Sequence, residues 1–124
     1  MPRVSPEPED LLPLTPAVFH ILLALADAER HGYAIMDHVA QTTDGQIKMG
    51  PGTLYGTIKR LLSGGLIEES AERPDPEMDD ERRRYYRLTR FGQRVMEAEA
   101  QRYAKLVKLA RAGGLLGRPA APAR

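Results

Sequence analysis

Thr53, Tyr55, Thr57, Lys59 and Arg60 alternate with apolar residues in PGTLYGTIKRLLSGGLIEE, the stretch from Pro51 to Glu69. Hydroxyls and cations at this spacing are groups that recognise a polyanion. Thr and Tyr hydroxyls donate to phosphate oxygens, and Lys and Arg reach phosphates or guanine edges. The intervening Leu54, Ile58, Leu61 and Leu62 fall at i, i+4, i+7 and i+8, one apolar stripe of a helix facing a core. Taken alone, such a helix could equally present an ordinary solvated face. Thr, however, is a weak helix former, and Gly56 inside a helix costs about 1 kcal/mol relative to Ala. That cost makes sense where the backbone must approach another molecule closely.

The other reactive residue types assemble no catalytic set. In RRRYYR, residues 82–87, strand alternation with Tyr86 and Leu88 facing a core turns Arg83, Tyr85 and Arg87 outward. Arg83 is the first choice for a phosphate contact, and pairing of these arginines with the preceding acidic run is the alternative. Glu68 and Glu69 lack a nucleophile or base partner and read as a solvated strand end. Of His20, His31 and His38, the last two lie seven apart on one helix, too far for one ion to bind both. No metal, no cofactor and no enzymatic activity are expected. The absence of cysteine excludes thiolate catalysis, a disulfide framework and a Cys-based zinc site.

A chain of 124 residues with formal net charge +1 supports one domain, and its polyanion site must be a local concentration of basic groups. EESAERPDPEMDDE, residues 68–81, is acidic and runs directly into RRRYYR, while residues 101–124 carry Lys and Arg without Asp or Glu. The longest apolar run, HILLALA, falls short of the roughly 18 residues of a membrane span. The proline-rich MPRVSPEPEDLLPL reads as a flexible arm and not a signal peptide. A cytoplasmic protein without a membrane partner is expected.

The elements that must position these groups follow from caps and periodicity. Thr15-Pro16 starts a mostly buried first helix, and a second runs from about His31 to Gln41. The third extends from Gly50-Pro51 to Gly64-Gly65, which ends it with a left-handed residue. LIEESAE and RRRYYRLT read as two strands of a hairpin. Thr89 then caps a long helix that stops at Gly113-Gly114. The expected fold is mainly α: a winged helix-turn-helix of three helices and a two-stranded wing, followed by a long C-terminal dimerisation helix. The expected boundaries are a flexible arm at 1–13, the DNA-binding domain at 14–89, the dimerisation helix at 90–113 and a flexible tail at 114–124. Met96, Ala100, Tyr103, Val107 and Ala110 recur at steps of four and three, the seam of a helix that packs on a partner helix.

LTP…ILLALADAERHGYAI, GPGTLYGTIKRLLSGGLIEE and RRRYYRLTRFGQRV resemble, in that order and at comparable spacing, the PadR family of bacterial transcriptional regulators. The resemblance covers Leu14 to Arg111 and points to the short subgroup with a single C-terminal helix. It implies a homodimeric repressor that binds double-stranded operator DNA and releases it on binding a small molecule. Thr53, Tyr55, Thr57, Lys59, Arg60 and Arg83 are then the expected DNA contacts. The effector would be apolar or phenolic, placed where the first helix of one protomer meets the last helix of the other, against Phe19, Leu23, Met96, Tyr103 and Val107. Two features depart from the family's pattern. The loop between the wing strands is acidic at Asp75, Glu77, Asp79, Asp80 and Glu81, and the chain has no Trp on which a flat aromatic drug could stack. A winged-helix module that docks proteins is the reading from another class.

Overall fold

The computed structural model describes residues 6–70 and 84–117. Four helices and a small sheet follow one another as α1 (Pro16–Asp27), β1 (Arg30–His31), α2 (Gly32–Thr42), α3 (Pro51–Ser63), β2 (Ile67–Glu69), β3 (Tyr85–Leu88) and α4 (Arg90–Ala112), with a 3-10 turn at Pro8–Leu11 ahead of them. The expected mainly α winged helix-turn-helix with its long last helix is what the chain forms.

Local chemistry sets the boundaries. The Thr15 hydroxyl accepts from the Val18 N–H at 3.3 Å and Pro16 occupies the first turn of α1. Thr89 does the same for α4, accepting from the Gly92 N–H at 2.9 Å while its hydroxyl donates to the Gly65 carbonyl at 2.5 Å. One hydroxyl therefore starts α4 and ties it to the turn that ends α3. Gly65 sits at φ +75°, the left-handed conformation that lets the chain leave α3 and enter β2. Gly92 is required for a different reason: a Cβ there would lie 1.9 Å from the Leu66 carbonyl oxygen.

Ile21, Leu22 and Leu25 of α1, Ile35 and Val39 of α2, and Leu54, Ile58 and Leu61 of α3 meet Ile67, Tyr86, Val95 and Met96 in one core. The strands pair antiparallel in the order β1-β3-β2, with Ile67 opposite Leu88, Glu68 opposite Arg87 and His31 opposite Tyr85. The two-stranded wing thus gains a third, two-residue strand from the start of α2. So short a strand leaves no alternation in the sequence to detect.

Three expectations need correction. The flexible arm assigned to 1–13 is structured where it is described. Pro8 is buried in the 3-10 turn, that turn packs on α4, and Leu11, Leu12 and Leu14 pack against the core. Three leucines so close to a small core are more stable covered than left in water. The boundary at residues 89 and 90 does not separate two units either, because Gly92, Val95, Met96 and Glu99 of α4 are buried against the winged domain. Met96, expected in a dimer seam, is a core residue only 6% exposed. Its neighbours on α4, Gly92 and Val95, are the reason, since Gly92 lets that face come against Leu66, just ahead of β2, and Val95 is buried beside it.

Candidate nucleic-acid interface

The outward face of α3 is built on the stripe that buries its other side. Leu54, Thr57, Ile58 and Leu61 are buried, leaving Gly52, Thr53, Gly56, Lys59, Arg60 and Ser63 exposed. A Cβ at Gly52 or Gly56 would meet nothing within 4 Å, so their lack of side chains serves no packing inside the protein. What the two glycines create is a low strip of bare backbone with Lys59 along one side and, seven residues apart and so on one line of the helix, Thr53 and Arg60 along the other. At the start of the helix, Gly50 supplies no side-chain cap. The N–H groups of Gly52 and Thr53 precede the first intrahelical bond, from the Leu54 N–H to the Gly50 carbonyl, and are directed at whatever faces the helix end.

Charge pairing separates α3 from the wing. Arg87 on β3 binds Glu68 at 2.8 Å and Glu29 at 3.8 Å, and Arg84 binds Glu69 at 3.5 Å. The Glu68 hydrogen bond first, and its charge second, raise the Arg87 guanidinium above its ordinary pKa. Lys59 has no carboxylate partner among the described residues, and neither has Arg60, whose guanidinium donates to the Thr57 hydroxyl at 3.2 Å. Of these two elements, α3 is therefore the one whose cations are left to attract an anion, while Arg84 and Arg87 beside and on β3 are paired with carboxylates of the same sheet and with Glu29.

The residues expected to form the site divide accordingly. Thr53, Lys59 and Arg60 share the exposed face. Thr57 does not: it is 3% exposed, and its hydroxyl donates to the Thr53 carbonyl at 2.8 Å. Position 57 lies three residues after Leu54 and directly before Ile58, so a threonine there continues the buried stripe with its methyl inward and satisfies its hydroxyl within the helix. Tyr55 also departs from expectation. Its hydroxyl is buried against the start of α2, close enough that a Cβ on Gly32 would come within 2.3 Å. Arg83 and the acidic residues Asp75, Glu77, Asp79, Asp80 and Glu81 lie outside the described residues.

Past Glu99, α4 leaves the domain. The face that packs on the core through Val95, Met96 and Glu99 continues as Tyr103, Leu106, Val107 and Ala110, and here Leu106 and Val107 are each 45% exposed and Leu109 is 58% exposed. Ala100 is exposed too. Phe19 meets Tyr103 of its own chain edge to face, with ring centroids 4.9 Å apart. These two rings, expected to face each other across two protomers, fill each other's space within one. Leu23 beside them is 39% exposed and Met96 is enclosed, so of the five residues expected at an effector only Met96 is removed by burial.

Sequence inspection missed Glu99. It is fully buried, accepts from the Leu14 N–H at 2.8 Å and receives the Arg102 guanidinium on both oxygens at 2.5 and 3.2 Å. In the run EAEAQR nothing marks it out from Glu97, which is exposed. Among the described residues no group of His, Asp or Glu is placed to hold a metal ion, and no helix is long and apolar enough to cross a membrane.

The sequence profile of the transcriptional regulator PadR-like family matches residues 21–98. A 37.1 kDa protein in transposon TN4556 of Streptomyces fradiae is 36% identical over 86 residues, covering 69% of this chain but 22% of that protein. The chain thus spans about a fifth of that relative. Among solved structures, a PadR family transcription regulator from Clostridium difficile superposes with a TM-score of 0.65 at 24% identity, covering 79% of this chain and 97% of that one. A PadR-like transcriptional regulator from Bacillus cereus gives a TM-score of 0.62 at 21% identity, covering 81% and 91%.

Proposed function

The chain belongs to the transcriptional regulator PadR-like family, and from that premise we propose that it is a homodimeric repressor whose α3 helices read operator DNA in successive major grooves. The observation that carries this reading is the outer face of α3, where Lys59 and Arg60 have no acidic partner among the described residues and stand beside Gly52 and Gly56. Bare backbone lets the helix sit deep in a groove about 12 Å wide. The helix N-terminus then faces a phosphate, with Thr53 and Arg60 along one edge of the bare strip and Lys59 along the other, in reach of phosphates or base edges.

The bare distal half of α4 supports the dimer. Tyr103, Leu106, Val107 and Ala110 form an apolar strip continuous with the core face, and a monomer would leave it in water. Two copies packed through this strip hold their recognition helices at a fixed separation, and binding requires about 34–36 Å, one turn of B-DNA. An apolar or phenolic effector seated by Phe19, Leu23, Tyr103 and Val107 at this contact would favour a different separation and release the operator. The winged domain then takes in the segment from Pro8 together with the first three turns of α4, and the remainder of α4 is the dimerisation segment.

Selection of duplexes from a random pool by the purified protein tests the reading. Enriched sequences should contain two related half-sites whose centres lie about 10 base pairs apart or a multiple of that. Enrichment of a single half-site would contradict the dimer, and no enrichment at all would favour a protein-docking module.

A further inference from the structure

We propose that Gly32 and Tyr55 form the seat that sets the angle of the recognition helix, making both of them positioning residues for operator readout. The inference rests on the DNA-binding reading above and assigns to Tyr55 a role that needs no contact with DNA.

The connection between α2 and α3 makes such a seat necessary. A helix-turn-helix is commonly joined by a turn of three or four residues, short enough to hold the second helix by itself. Here α2 ends at Thr42 and α3 begins at Pro51, with residues 43–50 between them. A connection of that length leaves the angle to side-chain contacts. The apolar stripe of α3 fixes which face is buried, yet a helix can rock on such a stripe.

Tyr55 supplies the stop. It projects from the first half of α3 onto the N-terminus of α2, where Gly32 is buried as the first helical residue. A Cβ on Gly32 would stand 2.3 Å from the Tyr55 hydroxyl oxygen, 2.6 Å from Cζ and 2.9 Å from Cε1. Only glycine accommodates the ring in this place. Tyr33 also packs on it, its ring edge-on to Tyr55 with centroids 6.5 Å apart.

The same junction holds the wing. His31 caps α2 by accepting the Ala34 N–H on Nδ1 at 3.2 Å, pairs through its backbone with Tyr85 of β3, and meets the Tyr85 ring edge-on at 5.4 Å. Two consecutive residues therefore seat both parts of the molecule that would face DNA: the wing on His31 and the recognition helix on Gly32.

The lever arm is large enough to matter. Ser63 lies about 12 Å along α3 from Tyr55, so a tilt of about 10° moves it by about 2 Å. Phosphate attraction tolerates such a shift because it is long-ranged, whereas hydrogen bonds to base edges do not. Loss of the seat should therefore lower discrimination between sequences and spare non-specific affinity.

The test uses the full-length protein, a duplex enriched by the wild-type chain from a random pool, and a scrambled duplex of the same length. Gly32→Ala and Tyr55→Leu are each expected to bind the enriched duplex about tenfold more weakly and the scrambled duplex within about twofold of wild type. The double variant should be no weaker than the weaker single one, because both changes remove the same contact. Tyr55→Phe keeps the ring on Gly32 and should stay within about threefold of wild type on both duplexes. Should Gly32→Ala fail to fold by circular dichroism, the comparison of Tyr55→Phe with Tyr55→Leu carries the test. Wild-type discrimination in Gly32→Ala, multiplicative losses in the double variant, or equal losses in Phe and Leu would each overturn the seat. A wild-type chain that bound no duplex would overturn the DNA reading and the seat with it, whereas wild-type binding with an unaffected Gly32→Ala overturns the seat alone.

Discussion

The Leu14 N–H donates to the Glu99 carboxylate at 2.8 Å, across 85 positions of sequence, and that carboxylate is itself fully buried. This bond fastens the segment ahead of α1 to α4 at the turn where α4 leaves the core. Glu99 is charged there because of what surrounds it. The hydrogen bond from Arg102 does most to hold its pKa below the ordinary 4.5, the Leu14 N–H adds to that, and burial works against both.

Such a carboxylate makes folding pH-dependent with a definite sign. Since its folded pKa is depressed, its stabilisation is complete above about 4.5, the value it has when unpaired, and is lost as pH falls through the folded value. Glu99→Gln keeps the shape but removes the charge facing Arg102, and should cost about 1–3 kcal/mol at pH 7. The deficit should shrink on acidification below pH 4.5. Thermal melts of both proteins from pH 7 to pH 3 check this; a deficit that stayed constant would mean that Glu99 is not ionised in the folded state.

Thr53 and Thr57 offer a direct contrast between the two faces of α3. Thr53→Glu places a negative charge on the exposed face and should weaken duplex binding at least tenfold while leaving the melting temperature within a few degrees. Thr57→Glu buries a carboxylate at a position now 3% exposed, and should cost several kcal/mol or prevent folding. Melting curves and duplex titrations of the pair give opposite patterns if the assignment of faces is right.

Val107 stands in the uncovered strip of α4 with Leu106 and Ala110. Val107→Asp puts an unpaired charge in the middle of the proposed dimer contact, where its desolvation opposes association. The variant should sediment as a monomer at concentrations where the wild type is a dimer. Because Val107 makes no part of the protomer core, its far-UV spectrum should be preserved. A variant that still sedimented as a dimer would move the interface elsewhere.

The helices were legible because their ends are chemically marked. Thr15-Pro16, Thr89 and Gly64-Gly65 announce their roles without tertiary context, and the wing strands carry the Tyr and Leu content of a half-buried pair. What escaped depends on contacts between distant segments. Thr57 is a polar residue type at a buried angular position, and composition outweighed periodicity in reading it. Tyr55 looked exposed because its pocket is made by a glycine on another helix. Glu99 and Leu14 become a pair only once α1 and α4 are packed together, and no local pattern encodes that. Within α3, therefore, Thr53, Lys59 and Arg60 were legible as one face, while the residue that sets the helix angle was not.

Lys59 bears most directly on the central claim, that the outer face of α3 grips DNA through cations that have no carboxylate partner among the described residues. The measurement is the affinity of wild type and Lys59→Ala for one duplex as salt is raised from about 50 to about 200 mM, a range over which several phosphate contacts cost orders of magnitude in affinity. A dimer with one Lys59 contact per protomer predicts a steep decline of log affinity with log salt for the wild type, and a slope shallower by about two units for the variant. A wild-type affinity insensitive to salt, or identical slopes for the two proteins, would contradict it.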